Sequence, residues 1–216
     1  MFPDKYLELA VRQAINKPEG EILKSDLEKI VNLEDDHPFN NLSNLEGIQH
    51  LTNLEEIYFQ ASDIKDLSPL QNLKKIRVLY LSKNKIKDIS PLSSLSSLEI
   101  LDISYNHIED ISALNGLNNL NYLTIDFNKI SDLAPLKNIS NLKGLYAKSN
   151  RIKDITPLSS LQNLTDLELD HNQITDITPI SNLTNLRFLF LDGNPIEDYS
   201  PLNKLNLEYL SKEPPL

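Results

Sequence analysis

Asp166, Glu168 and Asp170 alternate along the chain, and Asp126 and Asp192 stand at matching points of neighbouring segments. On an extended strand, alternation puts the first three on one face. Carboxylates gathered this way could hold a divalent cation through oxygen ligands. They could form an acid–base pair, or receive a basic loop of a protein partner. The plain alternative is a solvated acidic face. A catalytic pair needs a walled pocket to shift its pKa, and nothing in the pattern supplies one. The four histidines (His37, His50, His107 and His171) have no metal-ligand spacing, and His50 reads as structural. There is no phosphate-cradling glycine loop, nucleophile elbow or H-E-x-x-H helix. The expectation is no enzyme, no cofactor and no metal.

The second set of candidates is aromatic. Tyr58, Tyr80, Tyr105, Tyr122, Phe127, Tyr146, Phe188, Phe190 and Tyr209 are nine of the 14 aromatic residues, and they fall at corresponding points of successive segments. Aromatics clustered on an open surface contribute little burial there, and they suit a protein interface as anchors. The alternative is that they only pack against one another across adjacent strands.

Both sets are aligned by a 22-residue pattern, L-x-x-L-x-L-x-x-N-x-I-x-D-I-x-P-L-x-x-L-x-x, with starts at Leu54, Ile76, Leu98, Leu120, Leu142, Leu164 and Leu186. Such a period marks a solenoid, and this spacing is that of a leucine-rich repeat. The L-x-x-L-x-L segment alternates and predicts a short strand with its Leu side chains turned inward. Each repeat returns the same way, so the strands are parallel. The Asn column (Asn84, Asn106, Asn128, Asn150, Asn172, Asn194) can serve the unpaired backbone groups of the turn with donor and acceptor together. Ser62 takes that place in the first repeat and predicts a weaker turn. Ser or Thr before Pro predicts a capped helical turn on the convex side, with Ala113 in place of proline once. One repeat cannot bury enough to fold alone; stacked neighbours must complete it.

The predicted fold is an α/β leucine-rich-repeat solenoid, with a curved parallel β-sheet on the concave face, short 3-10 turns on the convex face and a helical N-terminal cap. Residues 1–31 form the cap, with one helix after Pro3-Asp4 and a second after a Ser25-Asp26 cap. Residues 32–53 form a degenerate first repeat, whose first half around Glu34-Asp35-Asp36-His37-Pro38 does not match. Residues 54–205 hold the seven repeats, and 206–216 a last strand and short tail. The third, fifth, seventh and eighth positions of each repeat are expected on the concave face. That selects Tyr58, Tyr80, Tyr105, Tyr122, Phe127, Tyr146, Asp166, Glu168, Asp170, Phe188, Phe190 and Asp192 as partner-binding residues. A stripe of Lys65, Lys85, Lys87, Lys129, Arg151 and Lys153 on the loop edge reads mainly as a solubility feature.

Net charge is −10, from 31 acidic and 21 basic residues. That argues against general nucleic-acid binding, which needs basic stripes. Seven of these charges belong to one repeated column (Asp66, Asp88, Asp110, Asp132, Asp154, Asp176, Asp198), so the rest of the chain carries a net −3. There is no cysteine, which removes disulfides and thiol chemistry. No apolar run approaches the ~20 residues of a membrane span. Residues 1–20 lack a basic segment followed by an apolar core, so no signal peptide is expected. The expected state is a monomer.

Phe2-Pro3-Asp4, Val11-Arg12, Lys17-Pro18-x-Gly20, Leu45-Glu46-Gly47-Ile48-Gln49 and the repeated N-x-I-x-D-I-S-P-L resemble the internalin family, bacterial surface proteins with 22-residue leucine-rich repeats. The resemblance covers nearly the whole chain. It implies a non-catalytic module that holds a protein partner on its concave face, at the cell surface or secreted. The chain also resembles, less closely, phosphatase-regulatory leucine-rich-repeat proteins. That resemblance implies a cytosolic structural or regulatory scaffold.

Overall fold

The computed structural model describes residues 1–34 and 41–213. Two helices come first, α1 (Lys5–Ala14) and α2 (Lys24–Leu27). Nine strands follow: β1 (Asn32–Glu34), β2 (Glu56–Tyr58), β3 (Val78–Tyr80), β4 (Ile100–Asp102), β5 (Tyr122–Thr124), β6 (Gly144–Tyr146), β7 (Asp166–Glu168), β8 (Phe188–Phe190) and β9 (Tyr209–Ser211). They form one parallel sheet in chain order, each strand pairing with the next. Single 3-10 turns such as Ser68–Leu70, Ser90–Ser94 and Thr178–Ile180 lie on the return path of each repeat. The architecture is the expected solenoid.

The columns follow from sterics. The middle residue of every strand from Ile57 to Leu189 is buried, and its two neighbours point the other way, since side chains alternate along a strand. The registers Leu79↔Leu101, Leu101↔Leu123 and Leu123↔Leu145 stack these aliphatics into one continuous core. The Asn column ties successive coils together. Asn84 donates from Nδ2 to the Phe59 and Leu81 carbonyls at 2.8 and 3.0 Å, while its Oδ1 accepts the Ile64 N–H at 3.0 Å. The same arrangement recurs down to Asn194, which has no exposed surface. Among the described residues, Ser62 reaches only the Gln60 carbonyl, at 3.4 Å.

Two local expectations change. The convex turns are not capped by their Ser or Thr side chains. The preceding aspartate does that work: Asp66, Asp88, Asp132 and Asp176 each accept, through Oδ1, the backbone N–H two residues on, at 2.8 Å. An Asx turn of this kind needs only the short acidic side chain, so Ala134 and Ser112 work as well as Ser68. Likewise α2 begins after Leu23, and Ser25 and Asp26 lie inside it; Asp26 accepts the Leu23 N–H at 3.1 Å. His50, at the end of the Ile48–His50 turn, is exposed.

The N-terminal end is closed by α1 against β1. Asp4 caps α1 through the Tyr6 N–H at 2.9 Å and also accepts the Ser43 and Asn44 N–H groups at 3.0 and 3.1 Å. Burial works against its charge, yet the four N–H donors from Ser43, Tyr6, Asn44 and Leu7 hold its carboxyl below the usual range. The Phe2 ring lies where a Cβ on Gly47 would stand, and Gly47 has φ +104°, so only glycine fits there. The strand β1 occupies 32–34, just ahead of the stretch that departs from the repeat. Asp35, Asp36, His37 and Pro38 lie outside the described residues, as do Pro214 and Pro215.

Candidate protein-binding face

The outer side chains of the strands form two columns. Glu56, Val78, Ile100, Tyr122, Gly144, Asp166, Phe188 and Tyr209 are register partners in one. Glu34, Tyr58, Tyr80, Asp102, Thr124, Tyr146, Glu168, Phe190 and Ser211 are partners in the other. Seven of the expected site residues (Tyr58, Tyr80, Tyr122, Tyr146, Phe188, Phe190 and Glu168) thus share this face with Asp166. All are half-buried except Tyr122, which is 40% exposed.

The aromatics do pack together, but incompletely. Tyr58 and Tyr80 stack at 5.2 Å between ring centroids, 12° from parallel. Phe190 and Tyr209 meet at 5.0 Å, tilted by 37°, with Tyr209 51% exposed. The Tyr58 hydroxyl donates to Glu56 Oε2 at 2.9 Å, and this bond, with burial, pushes the phenol up to about 12.

Tyr105 and Phe127 stand elsewhere. Both are eighth residues of their repeats, and the structure places the eighth residue in a left-handed turn just past the strand. Every repeat does this: Ala61, Lys83, Tyr105, Phe127, Ser149 and His171 have φ between +51° and +57°, and Gly193 has +69°. The two rings stack at 4.2 Å on the rim of the face, 45% and 38% exposed. Left-handed backbone costs an L-residue about 1–2 kcal/mol. Large exposed rings at such points do not help the turn, so their presence needs another explanation.

The seventh positions are largely absorbed by the fold. Ser82, Ser104 and Asp170 are buried. Asp170 is only 5% exposed and accepts the Asp192 N–H at 2.8 Å, so the expectation that it meets a partner is corrected. Asp126 and Asp192 make the same bond to the next coil, accepting the Lys148 and Glu213 N–H groups at 2.7 and 2.6 Å. An aspartate there brackets the following repeat, because the strand has ended and an N–H of the next coil needs an acceptor.

Lys148 stands within this acidic stretch, its Nζ 3.6 Å from both Glu168 and Asp170. It compensates one of five carboxylates (Asp126, Asp166, Glu168, Asp170, Asp192). Burial raises the Asp126 carboxyl to about 6, and the charges of Glu168 and Asp102 push the same way against the Lys148 N–H and ammonium. Burial likewise raises Glu168, opposed by Lys148. Among the described residues, no group of three or more His, Cys, Asp or Glu could hold a metal ion. No helix among them is long and apolar enough to cross a membrane. The loop-edge lysines are exposed, with Lys85 paired to Asp63 at 2.6 Å.

Sequence reasoning missed Gly144. It is the one outer strand position without a side chain, and a Cβ there would stand 2.7 Å from Tyr122 Cδ1 and 3.1 Å from Tyr146 Cε2. The two rings therefore lie over bare backbone and bury it. A lone glycine in an aromatic column was the available signal.

The family pattern for leucine-rich repeats (two copies) matches residues 59–94, 74–116, 96–138, 140–182 and 162–204. No curated protein is a significant match. Among solved structures, internalin C2 from Listeria monocytogenes is 38% identical, with 98% of this chain and 94% of that one covered and a TM-score of 0.92. An internalin (inlF) from the same organism is 28% identical over 95% of this chain and 82% of its own, with a TM-score of 0.50. A plant peptide hormone receptor, RGFR1, solved with RGF2, is 22% identical over 76% of this chain and 30% of its own, with a TM-score of 0.64, a likeness of fold. With the repeat pattern matched from 59 to 204 and internalin C2 38% identical over nearly the whole of both chains, the chain belongs to the internalin-type leucine-rich-repeat proteins.

Proposed function

We propose that this chain is a non-catalytic protein-binding module that holds a protein partner on its aromatic concave face. The observation that carries this reading is the set of exposed rings there. Tyr122, Tyr209, Tyr105 and Phe127 keep between 38% and 51% of their surface in contact with solvent. The fold gains little from them in that state, whereas rigid, amphipathic tyrosines suit interface hot spots. Residues 54–205 supply most of the face, the last strand adds Tyr209, and 1–31 serve as its end cap. Membership of the internalin-type family supports a bacterial surface or secreted setting and a protein ligand.

Site-specific photo-crosslinking tests the reading. A photoreactive phenylalanine analogue replaces Tyr122 or Tyr209 on the concave face, or Lys74 or Gln162, exposed on the return path. The expected outcome is a single protein captured in common by the two concave probes and by neither of the others. Capture from Lys74 or Gln162 alone would move the binding surface to the convex side and overturn the proposal.

A further inference from the structure

Tyr122 and Tyr146 both lean over Gly144 and form an aromatic pad at the middle of the concave face. Its C-terminal border is acidic in a defined way, because the register partner of Gly144 is Asp166 and that of Tyr146 is Glu168. Tyr122 is exposed and Tyr146 half-buried. Burial raises the Tyr146 phenol, and the charges of Asp166, Glu168 and Asp126 add to it. Two cations flank this border and both are engaged: Lys148 by Glu168 and Asp170, and Arg187 by Glu208, with its guanidinium 5.4 Å over the ring of Phe188, the register partner of Asp166. Among the described residues, Asp166 accepts only a hydroxyl, from Thr165 at 2.5 Å. An aromatic floor with an under-compensated carboxylate edge attracts a cation, by the ring quadrupole below and by charge at the side.

The shape selects among cations. An ammonium is a compact, strongly hydrated point charge, already represented by Lys148. A guanidinium is planar and weakly hydrated; it lies flat on a tyrosine ring while its N–H fork reaches a carboxylate at the rim. We infer that the Tyr122–Gly144–Tyr146 pad, with Asp166 and Glu168 at its edge, is the seat for an arginine side chain on the protein partner. The inference rests on the concave-face reading and sharpens it: the partner brings an arginine to the centre of the sheet. Gly144 is then a positioning residue. Any side chain there lifts the two rings off the backbone and closes the pad.

The test uses the whole chain and a blocked tripeptide, acetyl-Gly-Arg-Gly-amide, followed by NMR of the aromatic ring signals. Its lysine and citrulline counterparts are the controls; citrulline keeps the shape and loses the charge. The arginine peptide should shift Tyr122 and Tyr146 with a Kd in the millimolar range, at least ~10-fold tighter than the citrulline peptide, a difference of about 1.4 kcal/mol. Asp166→Asn with Glu168→Gln should weaken the arginine peptide by about 10-fold and bring it level with citrulline. Gly144→Ala should displace the two ring signals before any peptide is added, with circular dichroism confirming the fold. Equal binding of arginine and citrulline peptides, preference for lysine, or shifts confined to Tyr58 and Tyr80 would each overturn the inference. If the tripeptide fails while crosslinking from Tyr122 and Tyr209 still captures a protein, the arginine seat alone is wrong and the concave-face reading stands.

Discussion

Asp126 differs from Asp88 and Asp198 in the sign of its effect. Burial, with repulsion from Glu168 and Asp102, lifts its carboxyl to about 6 in the folded chain, although the Lys148 N–H and ammonium oppose this. The native group therefore binds its proton more tightly than the unfolded chain does. Its contribution to stability is complete below about pH 4 and is lost as pH rises through 6. Asp88 and Asp198 run the other way. Hydrogen bonds from the backbone N–H and hydroxyl of Ser90 and Ser200 hold them low. Their contribution is present above about pH 4 and is lost on further acidification. Asp126→Asn removes the charge and keeps an oxygen for the Lys148 N–H. Its Tm should exceed that of the parent at about pH 7.5 and converge with it near pH 4, the gap opening around pH 6. A gap of the same size at both ends would show that the substitution acts through packing and not through the charge.

At the scale of the element, the coil is held by repeated polar brackets as much as by its leucines. Each asparagine satisfies buried groups of two coils at once. In Asn128→Ala the buried Ile108 N–H loses its acceptor, while the Ile103 and Ile125 carbonyls each lose one donor and keep the Nδ2 of Asn106 and Asn150. A buried group left unmade costs about 1–3 kcal/mol, so urea unfolding should report a loss of about 1–3 kcal/mol. Asp132→Ala removes an exposed Asx contact to Ala134 and should cost less than ~1 kcal/mol. Comparable losses from the two would contradict this division between buried ladder and surface turn. The strands, the Asn ladder and the convex turns were legible in the sequence because each recurs in an unchanged environment, which keeps the residue type constant. The left-handed eighth position was hidden, since Ala, Lys, Tyr, Phe, Ser, His and Gly all occupy it and no type betrays its φ. The role of the Asp column as turn acceptor was masked by the neighbouring Ser–Pro pairs, which look like caps. Asp170 was misjudged because alternation places a residue on a face but does not reveal whether the next coil covers it.

Over the whole molecule, the same solenoid that fixes the core leaves one continuous surface to vary. The outer columns run from the stacked Tyr58–Tyr80 pair, through the Tyr122–Tyr146 pad and the carboxylates of β7, to Phe188, Phe190 and Tyr209 at the far end. Which strand residues share that surface could be read from the period, though the eighth residues that it also assigned there turn onto the rim. How they settle on it could not, because it depends on a missing Cβ at Gly144 and on which seventh residues turn into the bracket between coils. If the face exists for a partner, its exposed rings are separable from folding. The most direct test is the triple variant Tyr122→Ser, Phe127→Ser, Tyr209→Ser, compared with the parent for thermal unfolding and for capture of the crosslinked partner. Tm should stay within ~3 °C, the shift expected for a change of about 1 kcal/mol in a chain of this size, while partner capture falls at least ~10-fold. A collapse of Tm, or undiminished capture, would contradict the assignment of this face to binding.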